Sequence, residues 1–141
     1  MTGKPTNSGR TVLCVEDEEL QLKVRCMLLQ GAGYNVLNAQ TGMEALALFQ
    51  SHDIDVVVMD YSLSDKDGVA VAEEMKHIRP GTPIVILSGL SSAVPDGSIV
   101  DLWLRKADVA PEDFLMQVRK VIEGRGEKLT GFRSLNEDTG Q

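Results

Sequence analysis

Apolar residues in this chain fall into short runs rich in Val, Leu and Ile, separated by longer stretches of helical period. The first run, Thr11-Val12-Leu13-Cys14-Val15, reads as a buried strand over 11–16. The spacing of Leu20, Val24, Met27 and Leu28 then predicts a helix from Glu18 to Gln30 with those residues on one face. Gly31 and Gly33 close it, as glycine does at helix ends. Tyr34 to Ala39 is a second strand. Thr41-Gly42-Met43-Glu44 has the form of a capping box, opening a helix with Ala45, Leu48 and Phe49 inward. Asp53 to Met59 is a third strand, reaching Asp60. Val69 to Ile78 is a helix with Val71, Met75 and Ile78 inward. Arg79-Pro80-Gly81-Thr82-Pro83 is a turn, and Ile84 to Leu87 a fourth strand ending at Ser88-Gly89.

Residues 91–98 contain Pro95 and Gly97, so any helix there is short or broken. Leu102 to Arg105 is a fifth strand, followed by Lys106. Pro111 suits the first position of a last helix, with Glu112 and Asp113 near the positive end of its dipole and Phe114, Val118, Val121 and Ile122 inward. Five strands alternating with helices imply right-handed βαβ units and an α/β fold around a parallel sheet. Residues 1–10 and 125–141 are polar, and we expect a disordered N-terminus, one domain over 11–124 and a flexible C-terminal tail.

The net charge of -7 argues against direct binding of nucleic acid, whose phosphates need a basic surface. No apolar stretch approaches the roughly 20 residues that span a membrane. Met1 to Arg10 lacks the apolar segment of a signal peptide, so the cytoplasm is the expected compartment. Cys14 lies in the first strand and Cys26 in the first helix, without a metal or redox spacing, so both are expected to be reduced and unliganded. His52 and His77 are expected to face solvent, and Asp65 and Asp67 to serve a turn.

Charge matters most where it is placed. Glu16-Asp17-Glu18 end the first strand and Asp60 ends the third. Ligand sites of open α/β sheets lie beyond the carboxyl ends of the strands. Carboxylates gathered there repel one another, which disfavours their ionised forms. A hard divalent cation with oxygen ligands removes that cost, and Mg2+ is the usual one where phosphate is handled.

These positions, with Ser88 after the fourth strand and Lys106 after the fifth, resemble the response-regulator receiver domain of two-component signalling, the family of the chemotaxis response regulator. The matching motifs are Val12-Leu13-Cys14-Val15-Glu16-Asp17-Glu18, Asp60 with Gly68, Ile84-Val85-Ile86-Leu87-Ser88-Gly89, and Leu104-Arg105-Lys106. The resemblance implies a flavodoxin-like, doubly wound, five-stranded parallel sheet of order 2-1-3-4-5. It implies that Asp60 accepts a phosphoryl group from a sensor histidine kinase, a histidine phosphotransfer protein or a small phosphodonor. Asp17 would ligate Mg2+ directly, Glu16 would hold metal-bound water, and Asp60 and the Ser62 backbone carbonyl would complete the protein ligands. Lys106 would neutralise the phosphoryl oxygens. Ser88 and Trp103 would form the conformational switch toward a downstream protein target, and Ser62 and Leu90 would tune the phosphoryl lifetime. Such a protein is not a turnover enzyme. A phosphorylation-dependent dimer is one option for its assembly.

The chain departs from the family pattern at several places. Position 16 is Glu where the family usually has Asp, and Ser64 stands where a Pro is usual. Ala107 follows the lysine where the family has a Pro preceded by a cis bond. A non-proline cis bond costs roughly 2.5–4 kcal/mol, so the bond is either trans with a rebuilt loop or strained. The interval from Ser88 to Lys106 is short, so the fourth helix is expected to be shortened or irregular. These departures leave open a degenerate receiver that binds partners without phosphorylation. A phosphatase of the haloacid dehalogenase type is disfavoured, because Asp60-Tyr61-Ser62 lacks the second Asp of Asp-x-Asp. No P-loop motif occurs.

Overall fold

The computed structural model describes residues 9–89 and 99–124. The elements are β1 (Thr11–Val15), α1 (Glu19–Gly31), β2 (Asn35–Ala39), α2 (Gly42–Ser51), β3 (Val56–Asp60), α3 (Gly68–Ile78), β4 (Ile84–Ser88), β5 (Leu102–Arg105), a short 3-10 turn (Lys106–Asp108) and α4 (Pro111–Glu123). All four strand pairings are parallel and the order is β2-β1-β3-β4-β5, the flavodoxin-like arrangement that the resemblance implies. The sheet order reverses between β1 and β3, and that is where this topology opens a crevice. The expected disordered ends, the shortened fourth helix and Leu90 fall outside the described residues, apart from residues 9 and 10.

Alternation along the strands divides the core in two. Leu13, Val15, Val57, Met59, Ile84 and Ile86 pack against α2 and α3 through Ala45, Phe49, Val71, Ala72 and Met75. Val12, Cys14, Val56, Val58, Val85 and Leu87 pack on the opposite face against α1 and α4 through Leu22, Cys26, Leu29, Phe114, Val118 and Ile122. Both faces of β3 and β4 are therefore buried, which explains why these strands read as continuous apolar runs.

Local chemistry sets the ends. Thr41 accepts the Glu44 N–H at 3.0 Å, while Glu44 Oε1 accepts from Gln40 N at 2.7 Å, one residue before the expected partner. Gly33 has φ 103°, a left-handed conformation suited to glycine, where the chain leaves α1 for β2. Pro111 occupies the first turn of α4. Every described peptide bond is trans, Lys106–Ala107 included, and the chain continues there as the 3-10 turn.

One inner-face expectation, Ile78, needs correction, and in α1 the structure settles which face is buried. In α1, Leu20, Val24 and Met27 are 67%, 51% and 64% exposed, and the buried stripe is Leu22, Cys26 and Leu29. Both sets have helical spacing, so periodicity alone does not choose between them. Ile78 is also exposed, because α3 ends there and Arg79 turns the chain away.

Candidate functional site

The carboxyl ends of β1 and β3 bring Glu16, Asp17 and Asp60 together, with carboxylate oxygens all within 4.8 Å of one another. Glu16 and Asp60 are buried, whereas Asp17 is exposed. The parallel ladder fixes this convergence: Val15 pairs with Met59, so each strand delivers its next residue to the same edge. The all-oxygen donor set fits a hard divalent cation of the Mg2+ kind.

Lys106, at the end of β5, reaches across two strands into this cluster. Its Nζ is 3.0 Å from Asp60 Oδ1, 3.2 Å from Glu16 Oε1 and 3.0 Å from Gln21 Oε1. Glu16 is further held by Arg25, whose Nη1 is 3.0 Å from Oε1, and by the Glu18 N–H, 3.2 Å from Oε2. Burial alone would push the Glu16 carboxyl up. The Arg25 guanidinium, the Glu18 N–H and Lys106 outweigh burial and hold it below its ordinary value. At Asp60 the balance is reversed. Burial, with Glu16 and Asp17 adding repulsion, pushes its carboxyl above the ordinary value despite the opposing Lys106.

Ser88 ends β4, buried at the same edge; Leu87 beside it pairs with Asp60. Ser62 lies in the loop after β3, where its isolated bridge with Asp67 narrows the turn. The Gly68 N–H donates to the Tyr61 carbonyl at 2.6 Å. A Cβ on Gly68 would lie 2.5 Å from the Asp60 carbonyl oxygen and 3.0 Å from Tyr61 Cα. The start of α3 thus crowds the backbone of the candidate phosphoacceptor, and only glycine fits there.

The turn acids do more than shape the loop. Asp67 caps α3 by accepting the Ala70 N–H, and Asp65 accepts the Gly42 and Met43 N–H groups, tying the loop to the start of α2. Trp103 lies on β5 and partly buries against the core, its ring centroid 5.6 Å from that of Tyr61. Its buried indole N–H has no partner among the described residues.

Glu16, Asp17, Asp60 and Lys106 thus form one cluster, and Ser88 shares its edge. Arg25, Gln21 and Tyr61 were not foreseen. For Arg25 and Gln21 the signal was a cation and an amide, four positions apart, on the helix following an acidic triplet. Cys14 and Cys26 are buried free thiols. The proximity of the two thiols and burial push the Cys14 thiol up. His52 and His77 are exposed, as expected.

Residues 12–101 match the family model described as the response regulator receiver domain. Over 129 residues the chain is 31% identical to the autoinducer 1 sensor kinase/phosphatase LuxN of Vibrio harveyi, covering 92% of this chain but only 13% of that protein. It is 36% identical over 81 residues to the transcriptional regulatory protein ZraR of Salmonella typhimurium, spanning 57% of this chain and 18% of the relative. Among solved structures, the chemotaxis response regulator CheY4 of Vibrio cholerae superposes with a TM-score of 0.70 at 30% identity, over 79% of this chain and 98% of that one. The response regulator TrrA of Thermotoga maritima, solved in complex with Mg(2+)-BeF, gives 0.74 at 27% identity over the same shares. The chain spans a small part of the curated relatives it matches, and it belongs to the response regulator receiver domain family.

Proposed function

We propose that this chain is a phosphoacceptor of a two-component or phosphorelay system, with Asp60 as the residue phosphorylated. The observation that carries this reading is the Lys106 ammonium 3.0 Å from a buried Asp60 carboxylate that shares its sheet edge with two further acids. The donor is a phosphohistidine of a sensor histidine kinase or histidine phosphotransfer protein. An Asp60 carboxylate oxygen attacks phosphorus, forming a P–O bond as the P–N bond breaks. The phosphoimidazole, protonated on its other ring nitrogen, leaves as neutral imidazole with the P–N electron pair. Repulsion and burial leave the ionised Asp60 carboxylate poorly stabilised, which strengthens it as a nucleophile.

The residues that would hold Mg2+ are Asp17, Asp60 and the Ser62 carbonyl, with Glu16 accepting from metal-bound water. When bound, the metal neutralises charge on the transferring phosphoryl oxygens. Lys106 holds the phosphoryl oxygens from the other side. Ser88 then hydrogen-bonds a phosphoryl oxygen, and Trp103 on β5 responds, passing the signal to a downstream protein. Ser62 and Leu90 set how readily water removes the phosphoryl group, so the chain is not a turnover enzyme. In this reading the kinase meets Leu20, Val24 and Met27, the exposed apolar stripe of α1. The compartment that goes with this role is the cytoplasm.

The test is the intact mass after incubation with acetyl phosphate, with and without Mg2+, alongside Asp60→Ala. One phosphoryl group added only with Mg2+, and none on Asp60→Ala, supports the reading. A folded protein that gains no adduct, and whose Trp103 fluorescence ignores beryllofluoride, overturns it in favour of a phosphorylation-independent binding module.

A further inference from the structure

Two cations share one oxygen of Glu16. Arg25 Nη1 lies 3.0 Å and Lys106 Nζ 3.2 Å from Oε1, while Oε2 takes the Glu18 N–H. Their other engagements differ. Lys106 also contacts Asp60 and Gln21, and as the phosphoryl-binding cation it must leave Glu16 during the reaction. Arg25 comes from the middle of α1, with its side chain 13% exposed. It lines an apolar cleft with Leu28, Leu87 and Phe114, so its stem is held by packing and its head aims at Glu16. The ion pair is thus fixed from the helix side, independently of the β5 end that carries Lys106.

We propose that Arg25 is a positioning residue, the standing counter-cation of Glu16. Resting on the receiver reading above, it has two consequences. When Lys106 swings to a phosphoryl oxygen, Glu16 stays neutralised, so the transfer of Lys106 costs little. Before any phosphoryl group arrives, three carboxylates face two cations rather than one, and the pull on a bare divalent cation is correspondingly weak.

These consequences have opposite signs in one variant, which separates them from a loss of packing. Mg2+ affinity is read by titration calorimetry. Beryllofluoride affinity is read by the fluorescence of Trp103, the single tryptophan, at Mg2+ saturating for each variant. Arg25→Leu is expected to bind Mg2+ about three- to tenfold more tightly and beryllofluoride several-fold more weakly. Arg25→Gln, which can still hydrogen-bond Glu16 but carries no charge, is expected to follow Arg25→Leu. Arg25→Lys is expected to recover most of both affinities. Both affinities falling together, or neither changing, in Arg25→Gln or Arg25→Leu overturns the proposal. A wild-type chain that takes up neither Mg2+ nor beryllofluoride overturns the receiver reading beneath it, a result distinct from either.

Discussion

The Lys106 ammonium sits 3.0 Å from Asp60 Oδ1, bridging it to Glu16 across the carboxyl ends of the sheet. One side chain from β5 thus neutralises acids delivered by β1 and β3. The contact joins the last strand to the centre of the fold, and any reaction at Asp60 must rearrange it.

Lys106→Met leaves Glu16, Asp17 and Asp60 with Arg25 as the remaining close cation among the described residues. Two of the three acids are buried, so the variant is expected to lose about 1–3 kcal/mol at neutral pH. Mg2+ replaces part of the missing charge, and ligand that binds only the native state stabilises it by mass action. Urea unfolding with and without Mg2+ should therefore show a larger shift of midpoint for Lys106→Met than for wild type. Equal shifts would mean that the lysine is not the counter-ion the geometry indicates.

The two buried acids should respond to pH in opposite directions. Asp60 is raised above its ordinary value of 3.8, so the native state holds its proton longer than the unfolded chain. Its ionisation costs stability that is absent below about that ordinary value and fully felt above its native one. Asp60→Asn is expected to gain stability on the order of 1 kcal/mol at neutral pH, with the gain disappearing in acid. Glu16 is lowered below 4.5, so its contribution is present above that value and is lost as pH falls through its native one. Glu16→Gln is expected to lose stability at neutral pH, by less as the solution is acidified. Parallel denaturant titrations of the three proteins from neutral pH into acid test this. Parallel pH profiles for the two variants would refute the opposed environments.

The strand ends explain why so much of this site was readable. Glu16 and Asp60 directly follow apolar runs and Asp17 and Lys106 lie one residue farther on, and parallel pairing leaves such residues little choice of edge. Gly68 was readable as a motif, but not its cause, the approach of a Cβ to the Asp60 carbonyl oxygen. The inner face of α1 was not legible because Leu20/Val24/Met27 and Leu22/Cys26/Leu29 repeat with the same spacing. The stripe that meets the sheet includes Cys26, a residue easily discounted as apolar. Arg25 was silent for a related reason. A cation on a helix reads as solvated until tertiary packing buries its stem and gives it a partner nine positions earlier.

Gly68→Ala tests the crowding directly. A Cβ 2.5 Å from a backbone oxygen cannot be relieved by rotating a side chain, so either α3 or the end of β3 must move. We expect a loss of about 1–3 kcal/mol together with slower phosphorylation from acetyl phosphate, because Asp60 belongs to the displaced segment. A variant of wild-type stability and wild-type rate would show that the loop absorbs the methyl group elsewhere.

The two stripes of α1 offer the sharpest separation of folding from recognition. Leu29 is fully buried, and Leu29→Ala is expected to cost about 2–5 kcal/mol. Leu20, Val24 and Met27 are more than half exposed, so Leu20→Ser and Val24→Ser should change stability by less than about 0.5 kcal/mol. If this stripe receives the kinase, those serine variants will take phosphoryl groups from acetyl phosphate at the wild-type rate. They will accept them more slowly from a phosphorylated histidine kinase or phosphotransfer protein, because the small donor needs only the Asp60 site and the protein donor also needs the surface beside it. Equal slowing with both donors would place the defect at Asp60 itself, and no slowing with either would remove the α1 stripe from the docking surface.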